Sequence, residues 1–218
     1  MTISSHTIVR NGMPFIGKVL EQVAPYMDEM IITLSTKSTD RTFDELKRFY
    51  EKYPIKVVID TENVSAPGEL TEIRNRQVFQ TKSDWILFLD DDDYWPKDQL
   101  ELCLNELDKD SEIQAYSVNP YQLLDWEHHD WSWRAKSFSK FLRNAPGLHY
   151  IHPWPRDLPA DKDGMPLYHK THPKVKRLPY KFYHLSYLKG HSFRTEEWAG
   201  QFSLKKGSAV KLPEKVII

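Results

Sequence analysis

Hydrophobic positions along this chain come in short bursts separated by longer amphipathic stretches. His6–Arg10, Met30–Leu34, Ile55–Asp60 and Asp84–Asp90 read as apolar strands. Phe15–Tyr26, Thr42–Tyr53 and Leu70–Thr81 carry helical periodicity between them, and Pro96–Asp108 follows the fourth strand. Local signals agree. Ser38-Thr39-Asp40 is an N-cap cluster ahead of the second helix, Ala66-Pro67-Gly68 a turn into the third, and Pro96 suits the first turn of the fourth. Strand–helix alternation with connections this short predicts an α/β fold with a mostly parallel sheet and right-handed crossovers.

The pattern changes after about residue 110. Ile113–Leu124 alternates partially and reads as a strand, and Arg134–Arg143 as a returning strand of a small antiparallel lobe. Prolines 146, 153, 155, 159, 166, 173 and 179 exclude long helices from 144–180 and predict loops over the sheet edge. The expected division is an α/β half, 1–110, and a second part of the same domain, 111–218, irregular or antiparallel and ending in a basic segment.

The fourth apolar burst, Trp85–Leu89, stops at four carboxylates, Asp90 to Asp93. Adjacent carboxylates repel unless positive charge sits among them. Hard divalent cations such as Mn²⁺ or Mg²⁺ take oxygen ligands of this kind, and Mg²⁺ is commonly shared between one or two carboxylates and substrate phosphates. Open α/β sheets bind ligands at the carboxyl ends of their strands. The pattern therefore suggests a metal–diphosphate site there. The competing reading is an acidic helix start, since negative charge near a helix N-terminus is favourable.

Composition narrows the setting. The 218 residues carry a net charge of −1, but residues 165–218 hold 11 Lys/Arg against three Asp/Glu and the rest hold 19 against 28. A basic tail behind an acidic front suggests contact with an anionic acceptor or surface; the plainer reading is a solvated basic face. Cys103, the single cysteine, lies on the apolar side of a predicted helix and reads as packing. With no apolar run of about 18 residues and no signal-peptide pattern at Met1–His6, a reducing, cytoplasmic setting is expected.

Several segments, in order and spacing, resemble the GT-A-fold glycosyltransferases of family 2. They are Ile8-Val9-Arg10-Asn11-Gly12, Ser38-Thr39-Asp40-Arg41-Thr42, Arg74-Asn75-Arg76, and Ser83 to Asp93, whose Leu89-Asp90-Asp91-Asp92-Asp93 matches the family's Leu-Asp-x-Asp-Asp/Glu metal motif. The resemblance covers roughly residues 6–108 and implies that 1–110 is the nucleotide-sugar-binding half and 111–218 the acceptor-binding part of one GT-A domain. It implies a nucleotide-sugar donor, UDP-linked by default, Mn²⁺ or Mg²⁺, and transfer with inversion to an acceptor hydroxyl. It implies donor contacts from Arg10, Asn11, Arg74, Asp90 and Asp91, and metal ligation by Asp92 and Asp93. Tyr183-His184-Leu185 resembles the late family histidine that completes coordination, which assigns His184 as a further ligand; an aromatic stretch equally holds structural histidines. Arg74 could instead pair with Glu69 or Glu72 on a helix surface.

This chain departs from the family at three places. Thr33–Lys37 has no carboxylate at the end of the second strand to meet a nucleobase. Lys37 and Arg41 replace small residues. His152-Pro153 stands where relatives carry a His-Glu pair. The base that would deprotonate the acceptor is then sought among Asp125, Glu127, Asp130 and Asp157. Trp126, Trp131, Trp133 and Trp154 could form a stacking platform or fill a small core. A saccharide or glycolipid acceptor leads; a hydroxylated base of DNA is the alternative. A nucleotidyltransferase would want an early glycine-rich phosphate loop, and residues 8–20 hold only Gly12 and Gly17. A non-catalytic nucleotide- or sugar-binding module remains the reading from a different class.

Overall fold

The computed structural model describes residues 1–54, 57–62, 67–130, 137–152, 158–189 and 209–211. Its first part alternates as the pattern predicts: β1 (Ile3–Val9), α1 (Ile16–Val23), β2 (Glu29–Ser35), α2 (Thr42–Lys52), β3 (Val57–Glu62), α3 (Pro67–Gln80) and β4 (Trp85–Phe88). A two-residue strand β5 (Asp93–Tyr94) and helix α4 (Lys97–Leu104) follow. Next come β6 (Ala115–Gln122), β7 (His128–Asp130), β8 (Phe138–Arg143), β9 (His149–Ile151), β10 (Leu158–Ala160), β11 (Val175–His184) and β12 (Ala209–Lys211).

Eight of these strands form one sheet in the order β3-β2-β1-β4-β8-β6-β11-β5. Strands β3, β2, β1 and β4 are parallel neighbours. β8 runs antiparallel between β4 and β6, β11 is parallel to β6, and β5 is antiparallel to β11. All but β5 and β8 therefore point the same way, and the ends of β1, β2, β3, β4, β6 and β11 share one edge. Strand order reverses beside β1, with β2 on one side and β4 on the other. That switch point is where open α/β sheets form their ligand crevice.

α1 buries Ile16, Val19, Leu20 and Val23, a helical stripe, against the main core. Pro25 then ends the helix in a 3-10 turn, Ala24–Tyr26, three residues short of the predicted run. α4 buries Leu100 and Cys103; the cysteine is packing, as expected, and burial pushes its thiol pKa up. On the other sheet face Ile86, Ala115 and Leu142 pack with Leu148, Tyr150, Leu167 and Val175.

Four differences from the sequence reading have physical causes. β1 begins at Ile3 rather than His6, because Ser4, Ser5, His6 and Thr7 are buried despite being polar. His6 bonds Thr81 through Nε2, and the Gln77 amide donates to Thr7 O and Thr33 Oγ1, each at 3.0 Å. β8 is not a strand of a separate small lobe; it lies inside the main sheet, with Phe141 in one core and Leu142 in the other. Leu148, Tyr150 and Leu167, from the proline-dense stretch, pack on a face of the sheet rather than at its edge. Finally, β11 begins inside the proline-dense stretch. Its Pro179 falls in a bulge, where the register jumps between Arg177 and Lys181 and no ladder N–H is needed. No helix among the described residues is long and apolar enough to cross a membrane.

Candidate active site

β4 delivers Asp90–Asp93 to the carboxyl edge of the sheet. The chain turns there at once: Asp93 N–H donates to Asp90 O at 3.1 Å, and Asp90 N–H to the Asp93 carboxylate at 3.0 Å. β5 then pairs with β11, setting Asp93 opposite His184 and Tyr94 opposite Tyr183. Leu185 N–H donates to Asp92 O at 2.8 Å. Two segments about ninety residues apart are thus locked by backbone hydrogen bonds. His184 Nδ1 lies 3.0 Å from Asp93 Oδ1 and 3.4 Å from Asp92 Oδ1.

One ligand atom each from Asp92, Asp93 and His184 falls within 4.8 Å of the others. Adjacent ligands about 2.1 Å from an ion in an octahedral shell stand about 3 Å apart, so the spacing suits one small divalent ion. Two carboxylates and one imidazole suit Mn²⁺ or Mg²⁺ better than a soft metal. Asp91, Asp92 and Asp93 are buried, which a solvated acidic helix start would not require.

Cations flank the carboxylates. Arg74, on α3, is buried with its guanidinium 3.6 Å from Asp90. It stacks 3.9 Å over the Phe88 ring and 5.6 Å from that of Tyr150, buried beside the carboxylates rather than lying on an exposed helix surface. Neighbouring Asn75 holds β9 by reciprocal bonds with the Tyr150 backbone, 3.1 and 2.6 Å. Lys140, which the sequence reading did not single out, ion-pairs with Asp93 and lies 3.3 Å from Asp90. Its burial is what marks it: Lys140, Phe141 and Leu142 form one buried run, which the sequence alone does not show.

The crevice's other wall follows β1 and β2. Asn11 adopts a left-handed φ of 54°, and its side chain accepts Thr39 N–H at 2.8 Å. Gly12 N–H donates to Thr42 Oγ1 at 2.7 Å and Met13 N–H to Asp40 at 3.1 Å. The Arg10–Gly12 and Ser38–Thr42 turns are thereby clasped together. A Cβ on Gly12 would lie 2.6 Å from Val9 Cγ2 and 3.3 Å from Asp91 Oδ2, so glycine lets Asp91 approach the turn.

The β6–β7 loop leaves the same edge, beside His184: Leu123 N–H donates to His184 O at 3.0 Å. Half-exposed Trp126 reaches across to Phe15, ring centroids 6.1 Å apart. Asp125 is spent locally. Its Oδ1 accepts the Glu127 and His128 N–H groups, both at 2.8 Å, and His128 Nδ1 at 2.9 Å; these bonds hold its pKa below the usual carboxylate range, Glu127's N–H first. The Glu127 side chain is exposed. Asp130 is described through its backbone in β7, while Asp157, Trp131, Trp133, Trp154 and most of the basic tail beyond 189 lie outside the described residues.

Comparison with known proteins agrees with this construction. The family model for glycosyl transferase family 2 matches residues 8–157. Poly(ribitol-phosphate) beta-glucosyltransferase of Bacillus spizizenii is 37% identical over 99 residues, 43% of this chain and 15% of the relative. The crystal structure of S. aureus TarS superposes with a TM-score of 0.58 at 16% identity, over 84% of this chain and 36% of TarS. TarS residues 1–349 in complex with UDP also give 0.58, at 15% identity, over 94% and 77%. The chain spans only a minor part of the curated relative and of full TarS, and these structures establish the GT-A-like fold. With the family model covering most of the chain from β1 onward, this protein belongs to glycosyl transferase family 2.

Proposed function

We propose that the chain transfers a sugar from a nucleoside diphosphate, UDP by default, to a hydroxyl of a saccharide-type acceptor, with inversion and with Mn²⁺ or Mg²⁺. The observation that carries this reading is the convergence of Asp92, Asp93 and His184 beside the β1/β4 switch point. The TarS complex with UDP supports the nucleotide, and the relative named for glucosyl transfer to poly(ribitol-phosphate) supports a hydroxyl-rich acceptor.

Asp92, Asp93 and His184 would hold the ion. When bound, it supplies positive charge against the negative charge growing on the leaving diphosphate. The chain's own groups do the rest. Arg74, held by Phe88 and Asp90, is a fixed donor for the diphosphate and needs no reorientation. The clasped Arg10–Gly12 and Ser38–Thr42 turns form the nucleoside wall, with Asp90 and Asp91 at its base. Bond cleavage gives the sugar oxocarbenium character, and one carboxylate on the opposite face suffices to take the acceptor proton. Glu127 is the better candidate for that base: Asp125 is committed to its turn and to His128, which lowers its proton affinity.

Calorimetry with UDP, GDP, CDP, ADP and dTDP, each with and without Mn²⁺, tests the reading. One nucleotide should bind at least tenfold more tightly with the ion. No metal-dependent binding of any of them would end it.

A further inference from the structure

Lys140 is an unusual residue for a strand interior. Its side chain is 2% exposed in the middle of the sheet, and burying an ammonium group is costly unless it is paired. A bulge puts it there: β8 pairs Phe141 with Tyr116 and Ser139 with Ser117, so Lys140 is the extra residue between them. Bulges re-aim a side chain, and this one points the ammonium at the carboxylates. It pairs with Asp93 Oδ2 and lies 3.3 Å from Asp90 Oδ2. Phe88 and Phe182 flank it, their ring centroids 4.6 and 4.9 Å away.

Asp93 is therefore divided. Its Oδ2 faces Lys140, while its Oδ1 faces His184. One oxygen belongs to a permanent internal cation, and the other is left for the ion.

We infer that Lys140 is the resident counter-charge of the carboxylate cluster: it keeps the site assembled without metal, weakens binding of the bare ion, and so makes metal uptake depend on the donor diphosphate. This rests on the proposed metal site. A fixed positive charge beside the ligands opposes a divalent ion at any dielectric. A diphosphate brings its own negative charge and oxygen ligands, which offset that opposition. Lys140 acts through Asp93 and Asp90 and is a positioning residue.

Mn²⁺ affinity, measured by electron paramagnetic resonance and calorimetry with and without UDP, is the test. Wild type should bind Mn²⁺ weakly alone and at least tenfold more tightly with UDP. Lys140→Met should bind Mn²⁺ alone about tenfold or more tightly than wild type, shrinking the UDP effect; its apo melting temperature should fall and Mn²⁺ should restore it. Lys140→Gln, which keeps a donor to Asp93 without the charge, should change Mn²⁺ affinity in the same direction. Unchanged or weakened Mn²⁺ binding in a folded variant overturns the inference. So does failure of both variants to fold in excess Mn²⁺, since the ion should replace the missing charge. Absence of Mn²⁺ binding by wild type, with or without UDP, overturns the metal site itself and this inference with it, and is told apart by needing no variant.

Discussion

The two halves of the sheet are built by different rules. From β1 to β4 the strands are parallel and each connects to the next through a local helix, and the ligand-bearing turns lie directly after the strands. From β6 onward the chain threads back: β8 inserts antiparallel between β4 and β6, and β11 arrives some fifty residues after β6 to pair with it. The Asp92–Asp93–His184 group draws on both. Asp92 and Asp93 come with the first half, while His184 and the lysine paired with Asp93, Lys140, come with the second. On the proposed reading, the first half carries the donor site and the second completes and tunes it through long-range pairing.

The largest expected effect breaks the shared centre. Asp92→Asn keeps shape and removes charge; transfer should fall about 10³-fold or more, as loss of preorganised charge stabilisation at a reacting phosphate does. Metal-dependent nucleotide binding should disappear in calorimetry while the melting temperature holds or rises, because one mutually repelling carboxylate is gone. Near wild-type turnover would remove Asp92 from the metal site.

Next in size is a test confined to the second half. If Glu127 is the base, Glu127→Gln should lower kcat about 10²-fold or more with nucleotide binding intact. Asp125→Asn should act mainly on the loop, costing about 1 kcal/mol for the lost charged acceptor of backbone N–H groups and a smaller share of kcat. The reverse ranking in steady-state kinetics would move the base to Asp125. His184→Ala then asks whether the two halves really share an ion. Loss of outer-shell partners costs about 10–100-fold in metal affinity, so removing a ligand should weaken Mn²⁺ about 100-fold while leaving the β1–β4 fold untouched. An unchanged Mn²⁺ affinity would make His184 a packing residue.

The same contrast explains what could be read from the residues alone. Asp90–Asp93 is legible as an acidic run closing an apolar strand, Ser38–Asp40 as an N-cap cluster and Arg10–Gly12 through resemblance, and the helices between strands keep their period. Fold class and family followed from these. His184 came only through resemblance, since its place depends on a two-residue bridge to Asp93 that no local pattern records. β8 reads from sequence as a strand of a small lobe because burial on both faces is a tertiary fact. Pro179 hid the start of β11, since a proline is compatible with a strand only at an edge or bulge and the bulge is invisible in sequence. Lys140 was missed for the same reason: its bulge, and not its neighbours, gives it partners. The expected first strand starts only at His6, and polar Ser4 and Ser5 before it are buried in β1 all the same, while the Gln77 and Thr81 side chains give His6 and Thr7 buried partners.

That buried polar strand supplies the smallest and most local test. His6 is enclosed, and burial together with the nearby Arg74 charge lowers its pKa to about 3. In the unfolded chain it titrates near 6.5. Between those values the unfolded chain holds a proton that the folded protein lacks, so stability falls as pH drops below about 6.5 and continues to fall toward 3. Each pH unit in that window costs about 1.4 kcal/mol, or roughly 3–6 °C in melting temperature for a chain this size. His6→Asn removes the titration, so its melting temperature should decline less steeply between pH 6.5 and 5 than that of wild type. Amide exchange in wild type at pH 5 should rise first in β1 and α3, which share the His6–Thr81–Gln77 contacts, and only later in β6 and β11. Parallel pH slopes for the two proteins would mean that His6 is protonated in the folded state. Uniform exchange across the sheet would mean that the two halves, however differently assembled, open as one unit.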